Sequence, residues 1–299
     1  MSYQEQAVVF ACEGEPLTGI VSLPVTPPSQ ESPTSKTGVV IIVGGPQYRA
    51  GSHRQFVHLA RALAAAGIPA IRFDYRGMGD SAGALHTFEN VDADIAAAID
   101  ALQAAAPGVR NVALWGLCDG ASAALLYCQS TQDRRVRGLC LLNPWVRSAA
   151  SLAKTHVKHY YLHRLRQKEF WLKLLSGKVA ASAVKGLADN IKVAFSGPSA
   201  KAAKGDPLPY QARMAKAWMQ FKGPMLLILS GDDYTAKEFI EYANTEAPWV
   251  RALAQPGLDQ FMIRGVDHTF SSATARAVVE NKTISWIKSC RESFDGDKL

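Results

Sequence analysis

Five cysteines stand in the 299 residues, Cys12, Cys118, Cys128, Cys140 and Cys290, and no two form a Cys-x-x-Cys pair. That scatter argues against a disulfide framework or a zinc knuckle and for a reducing, cytoplasmic setting. No apolar run reaches the roughly 18 residues that a membrane span needs, so no span is expected. The start, MSYQEQAVVFACEGEP, has neither a basic lead nor a long apolar core, so a secretory signal is not expected. Acid is scarce in one stretch: between Arg147 and Lys204 stand 12 basic residues and 2 acidic ones. The whole chain carries 33 Lys and Arg against 26 Asp and Glu, so its net charge of +7 comes from that one segment. The segment has aromatics but no recognition-module pattern, and a nucleic-acid partner is not expected. No internal repeat is visible.

What is present is an ordinary globular composition, 48% hydrophobic and 20% charged, at a length that suits one α/β domain with an insertion. AVVFACEGEPLTGIVSLP reads as a hairpin about a Gly-Glu-Pro turn, and TPPSQESPTSKT as an exposed loop. GVVIIVGG is a branched run of the kind buried on both faces of a parallel sheet. RQFVHLARALAAAG (helix), IPAIRFDY (strand), VDADIAAAIDALQAAAP (helix) and NVALWGL (strand) continue the alternation. Such spacing means βαβ units around a mostly parallel sheet flanked by helices. After GLCLLNP the alternation stops. It resumes with GPMLLILSG (strand), EFIEYANTEAPWVRALAQPG (helix), LDQFMIRGVDH (strand) and SSATARAVVENKTISWIKSC (helix). The expected organisation is a core of residues 1–143 and 215–299, interrupted by a helical, basic cap at 144–214.

WGLCDG, residues 115 to 120, lies where a strand meets a helix. Gly116 and Gly120 bracket Cys118 in the Gly-x-x-x-Gly frame of a nucleophile elbow. There the nucleophile sits in a strained turn at a helix N-terminus, and flanking side chains would clash. The acid and the histidine of such a site follow the nucleophile in chain order, after late strands. His268 comes directly after the last strand and is the one histidine that lies C-terminal to Cys118 outside the insertion. Asp232 and Asp233 sit at the end of the preceding strand. Asp233 is preferred because the Gly-x-Asp spacing puts it one residue deeper into the turn, and Asp232 stays open as the alternative. Asp267 could tune the adjacent histidine. The helix N-terminus and the imidazole are expected to lower the Cys118 pKa toward thiolate.

An oxyanion hole needs two backbone N–H donors. Asp119, after the nucleophile, supplies one. The other should come from the loop after GVVIIVGG, where Pro46 has no N–H, so Gln47 is the expected donor. Gly45, Pro46 and His53 are pocket candidates, His53 being equally suited to a solvated helix start. His156, His159 and His163 share one helix face. Three histidines at that spacing need a fourth ligand to hold a metal, so a solvated cap face is the expected reading. No metal and no organic cofactor is expected.

Asp74-x-Arg76-Gly77-x-Gly79-x-Ser81-x-Gly83 is the strand-end pattern of lipase- and aminopeptidase-type hydrolases. Over its full core the chain resembles the α/β-hydrolase superfamily. VGGPQYRAGSHRQF, FDYRGMGDSAG, WGLCDGASAAL and LSGDDYTAKEF together resemble the exosortase A system-associated hydrolases. Dienelactone hydrolases, which share the fold, carry a cysteine at the position of Cys118, so the cysteine does not imply a dead enzyme. The resemblance implies an esterase or thioesterase whose acyl substrate, small or carrier-bound, the basic cap could draw in if it is anionic. The rival expectation is a non-catalytic module that holds an acyl group or a partner in the same cleft.

Overall fold

The computed structural model describes residues 3–25, 35–45, 47–147, 208–290 and 294. Pro46, most of the expected cap and its three histidines lie outside the described residues. The elements are β1 (Tyr3–Cys12), β2 (Glu15–Pro24), β3 (Thr37–Ile42), α1 (Gln55–Ala65), β4 (Ala70–Phe73), α2 (Asp92–Ala105), β5 (Asn111–Leu117) and α3 (Asp119–Thr131). They continue with β6 (Val136–Leu142), α4 (Tyr210–Gln220), β7 (Met225–Ser230), α5 (Tyr234–Thr245), α6 (Ala247–Leu253), β8 (Leu258–Ile263) and α7 (Ala273–Ser289). No helix among the described residues is long and apolar enough to cross a membrane.

The eight described strands form one sheet in the order β1-β2-β4-β3-β5-β6-β7-β8. β2 runs antiparallel to β1 and β4, and every pairing from β4 through β8 is parallel. The branched runs explain the centre. Every residue of β3, β4 and β7 is buried, as a strand with helices on both sides requires. β8, at the edge, has only half-buried and exposed positions. Helices flank the sheet in two groups, α1 on α7, and α2, α3 and α4 in series. Trp218 of α4, Phe239 of α5 and Trp249 of α6 pack ring on ring, with Trp249 centroids 5.5 and 5.4 Å from the other two. Through them α4, which crosses the expected boundary at 214/215, belongs to the buried core.

Two expectations need correcting. The hairpin turn is Glu13-Gly14, not Gly-Glu-Pro, with both residues at positive φ and Cys12 opposite Glu15. A two-residue turn of that hand matches the strand twist, and Pro16 is left free to lie within β2. The stretch EFIEYANTEAPWVRALAQPG makes two helices broken at Glu246, because Pro248 fits a first turn and not a helix interior.

All parallel strands point their carboxyl ends one way. Loops leaving β3, β5, β6, β7 and β8 therefore gather at one edge, where a sheet of this kind binds ligands.

Candidate active site

Cys118 is the first residue after β5 and precedes α3. Its backbone lies at φ 61°, ψ −127°, a region side chains avoid at a cost on the order of 1–3 kcal/mol. Packing enforces that turn. A Cβ on Gly116 would sit 2.4 Å from Gly120 O, and one on Gly120 would sit 2.6 Å from Ile42 O. The Cys118 N–H donates to Leu142 O at 2.9 Å, and Cys118 O receives the Ala121 and Trp145 N–H groups. The thiol is thus presented, half-buried, at the carboxyl edge of the sheet.

His268 and Asp233 meet there. His268 Nδ1 lies 2.8 Å from Asp233 Oδ2. Asp233 is also the N-cap of α5, its carboxylate accepting the Thr235 N–H at 3.1 Å and the Ala236 N–H at 2.9 Å. Burial alone would raise its pKa, but His268 and those two amides outweigh burial and hold it below the ordinary carboxylate range. Asp232, by contrast, is exposed and offers its N–H to Val266 O. Of the two aspartates, Asp233 is the one the fold turns to the imidazole. No hydrogen bond joins the Cys118 thiol to His268 among the described residues.

The Cys118 environment departs from the sequence expectation. Burial, and next the Asp119 carboxylate, push the thiol up to about 12, while the Asp119 N–H and Arg147 pull the other way. Burial and the carboxylate of the very next residue oppose the lowering that the helix N-terminus and the imidazole predict. Both effects favour the protonated thiol.

The loop after β3 closes over the elbow. Gly45 N–H donates to Asp119 Oδ1, and a Cβ on Gly44 would meet Leu117 O at 2.2 Å. The Asp119 carboxylate is turned in toward three amides, those of Gly45, Asp119 itself and Gly120. Burial raises its pKa and those amides, with His268, oppose the rise. A cleft of about 740 Å³ opens beside it, bounded among others by Gly45, Gln47, Tyr75, Met78, Phe88 and Asp119. His53 is exposed on the turn before α1 and does not line this cleft. A further cavity of about 570 Å³, lined by Cys128, Arg137 and Lys222 among others, is built from residues flanking the amino ends of β6 and β7 and contains none of the groups above.

Three supports hold these loops, and of them only Asn143 escaped the sequence reading. Asn143, fully buried after β6, donates from Nδ2 to Ser230 Oγ at 2.9 Å and to His268 O at 3.2 Å, and accepts the Ser230 N–H at 2.9 Å. It ties the ends of β6 and β7 to the histidine loop; the Asn of LLNP, directly after a buried strand, was the available signal. Asp267 clamps the same loop, its carboxylate accepting the N–H groups of Thr269 and Ser271 and both their hydroxyls. Asp74 of the DYRGMGDSAG stretch accepts the Arg49 N–H at 2.6 Å and pairs with the Arg49 guanidinium, which also reaches Asp80. That motif fixes the loop leaving β3; its neighbour Arg76 forms a buried pair with Asp94.

Strand order, elbow and the partners that follow it in sequence define an α/β hydrolase. The chain belongs to the family described as serine aminopeptidase, S33, whose model matches residues 34–238. No curated protein matches the sequence. Among solved structures it is similar to the Pyrococcus furiosus esterase Pf2001, at 16% identity and a TM-score of 0.61 over 97% of this chain and 94% of that one. It is similar also to the α/β hydrolase GrgF from Penicillium, at 15% identity and a TM-score of 0.60 over 96% and 99%. A dienelactone hydrolase from Anabaena variabilis gives 15% identity and a TM-score of 0.57 over 97% and 99%. Likeness at this identity is likeness of fold.

Proposed function

We propose that this α/β-fold hydrolase cleaves, or transfers, the acyl group of an ester or thioester through Cys118, His268 and Asp233. The observation that carries the reading is the His268 Nδ1 to Asp233 Oδ2 bond of 2.8 Å, made in the loop after the last strand, on the sheet edge that carries the strained Cys118 elbow. Because burial and Asp119 favour the protonated thiol, His268 acts as a general base. Its Nε2 takes the thiol proton as sulfur attacks the carbonyl carbon, and returns that proton to the leaving oxygen or sulfur. Asp233, held anionic, fixes the tautomer with Nδ1 protonated and steadies the imidazolium. The Asp119 amide, with Gln47 or Gly45 from the opposite loop, receives the oxyanion. Water or a second acceptor then resolves the acyl-enzyme. No step calls for a metal or an organic cofactor.

Residues 144–214 are proposed as a cap over this edge, their basic surplus drawing an anionic or carrier-bound acyl donor from the cytoplasm. The link to exosortase-associated hydrolases rests on the four sequence stretches quoted above. The reading is tested with a panel of p-nitrophenyl esters and acyl thioesters and with Cys118→Ala. Turnover that iodoacetamide does not remove and that Cys118→Ala retains would refute it. One observation favours a second reading, a catalytically weak module that binds an acyl group or a partner: the Asp119 carboxylate lies among the amides that an oxyanion would need.

A further inference from the structure

The same observation carries a sharper statement. We propose that Asp119 gates the reaction: its ionised carboxylate fills the oxyanion hole, and turnover waits on its protonation. The inference rests on the acyl-transfer reading above and names the residue that decides when that site works.

The geometry comes first. Gly45 N–H donates to Asp119 Oδ1, and the Gly120 and Asp119 amides favour the charged form of the same carboxylate. The amide of the residue after the nucleophile and an amide of the loop after β3 are the donors that a tetrahedral oxyanion requires. Here one of them, the Gly45 amide, already donates to a carboxylate that is part of the chain. Two negative oxygens cannot share one set of amides, because like charges at contact distance do not both ionise.

The groups around Asp119 weigh on its charge from every side. Cys118 adjoins it on the elbow, Tyr75 approaches from the end of β4, and His86 and Glu89 line the same cleft. Arg147 acts on Cys118 from the segment after β6. His268, in the loop after β8, favours the ionised form, whereas burial favours the neutral carboxyl and moves its pKa up. Protonation is thus easier here than at an exposed aspartate.

The step balances. Asp119 takes a proton from solvent and its charge leaves the hole. The Cys118 S–H proton passes to His268 as the S–C bond forms, and the carbonyl π pair moves onto oxygen, which the freed amides hold. The oxyanion then collapses, the C–O or C–S bond to the leaving group breaks, and His268 returns the proton to it.

Wild-type kcat/KM for p-nitrophenyl butyrate should therefore fall as rising pH ionises Asp119. Asp119→Asn keeps the size of the side chain, so it should fold as the parent does, and its neutral oxygen accepts from Gly45 N–H more weakly than a carboxylate and yields that amide to an oxyanion. Its alkaline limb should flatten, and kcat/KM at pH 8.5 should rise on the order of 10²-fold, the worth of a working oxyanion donor. Asp119→Ala should move in the same direction. Asp119 variants that are no faster than wild type at pH 8.5, or that keep its alkaline limb, overturn the gate. Cys118→Ala separates the two failures. Turnover that survives in it sinks the nucleophile, whereas turnover lost in it but not raised in either Asp119 variant sinks the gate alone.

Discussion

Asp119 Oδ1 holds the backbone N–H of Gly45, and through that bond the turn after β5 and the loop after β3 are fastened to each other. The fastening needs close approach. Gly44→Ala would drive a methyl into Leu117 O, 2.2 Å away, whereas a Cβ on Gly45 meets nothing within 4 Å and suffers only from φ 61°. Gly44→Ala should cost about 1–3 kcal/mol in urea unfolding, as overpacking does, and lower kcat by moving the Gly45 amide. Gly45→Ala should cost about 1–2 kcal/mol, the left-handed penalty for a side chain. Equal stability of Gly44→Ala and wild type would show that the two loops are not in contact.

Asp233 serves both His268 and the first turn of α5. Asparagine is an equally good helix cap, so Asp233→Asn should leave the Tm almost unchanged. It should nonetheless lower kcat on the order of 10²–10⁴-fold, because the amide no longer enforces the Nδ1-protonated tautomer. Asp232→Asn, at an exposed site, should stay within a few-fold of wild type. The reverse ranking would move the acid to Asp232.

The thiol is open to direct titration. Alkylation of Cys118 by iodoacetamide, followed by mass spectrometry against pH, should show an apparent pKa above the ordinary value of about 8.5, since burial and Asp119 push it up. In Asp119→Asn the midpoint should drop, because one of the two causes is gone. A midpoint below that of a free cysteine in the wild type would mean that a resting thiolate–imidazolium pair replaces the general-base step.

Asp267 gives a stability signature in acid. The Thr269 and Ser271 hydroxyls and amides outweigh burial and bring its carboxyl down to about 2. A depressed folded pKa stabilises the protein above the unfolded value of about 3.9, and that contribution is lost as pH falls through the folded pKa. The gap in unfolding free energy between wild type and Asp267→Asn should therefore be constant above about pH 5, narrow from pH 4 downward, and close near pH 2. A gap that persists below pH 2 would assign the clamp to hydrogen bonding without charge.

Much of this was readable from the chain because its signals are local. Branched runs such as GVVIIV announce buried strands, and the Gly116 and Gly120 bracket announces the elbow, since backbone clashes permit little else there. Chain order alone leads to His268. What the sequence does not disclose is direction. That Asp233 turns inward while Asp232 faces solvent follows from the cap it places on α5, and both have the same composition and nearly the same spacing. The Asp119 side chain is the clearest case. Its backbone role follows from the motif, but the carboxylate folding back onto Gly45 depends on a loop 74 residues away in sequence. Asn143 is hidden for the same reason, because its partners, Ser230 and His268, are distant in the chain and adjacent only once the sheet has formed.

Cys118 stands at φ 61°, ψ −127°, where glycine rests easily and every other residue is under tension. Replacing it by glycine should therefore gain on the order of 1 kcal/mol of stability while removing the sulfur. That opposition turns position 118 into a gauge that needs no knowledge of the substrate. A codon library at 118, grown in the parent cell under rising temperature, sets heat resistance against use. Glycine clones take over where the activity is dispensable, and cysteine clones persist where the cell draws on it. The growth condition at which cysteine begins to win then marks when, and on what diet, this enzyme matters to its host.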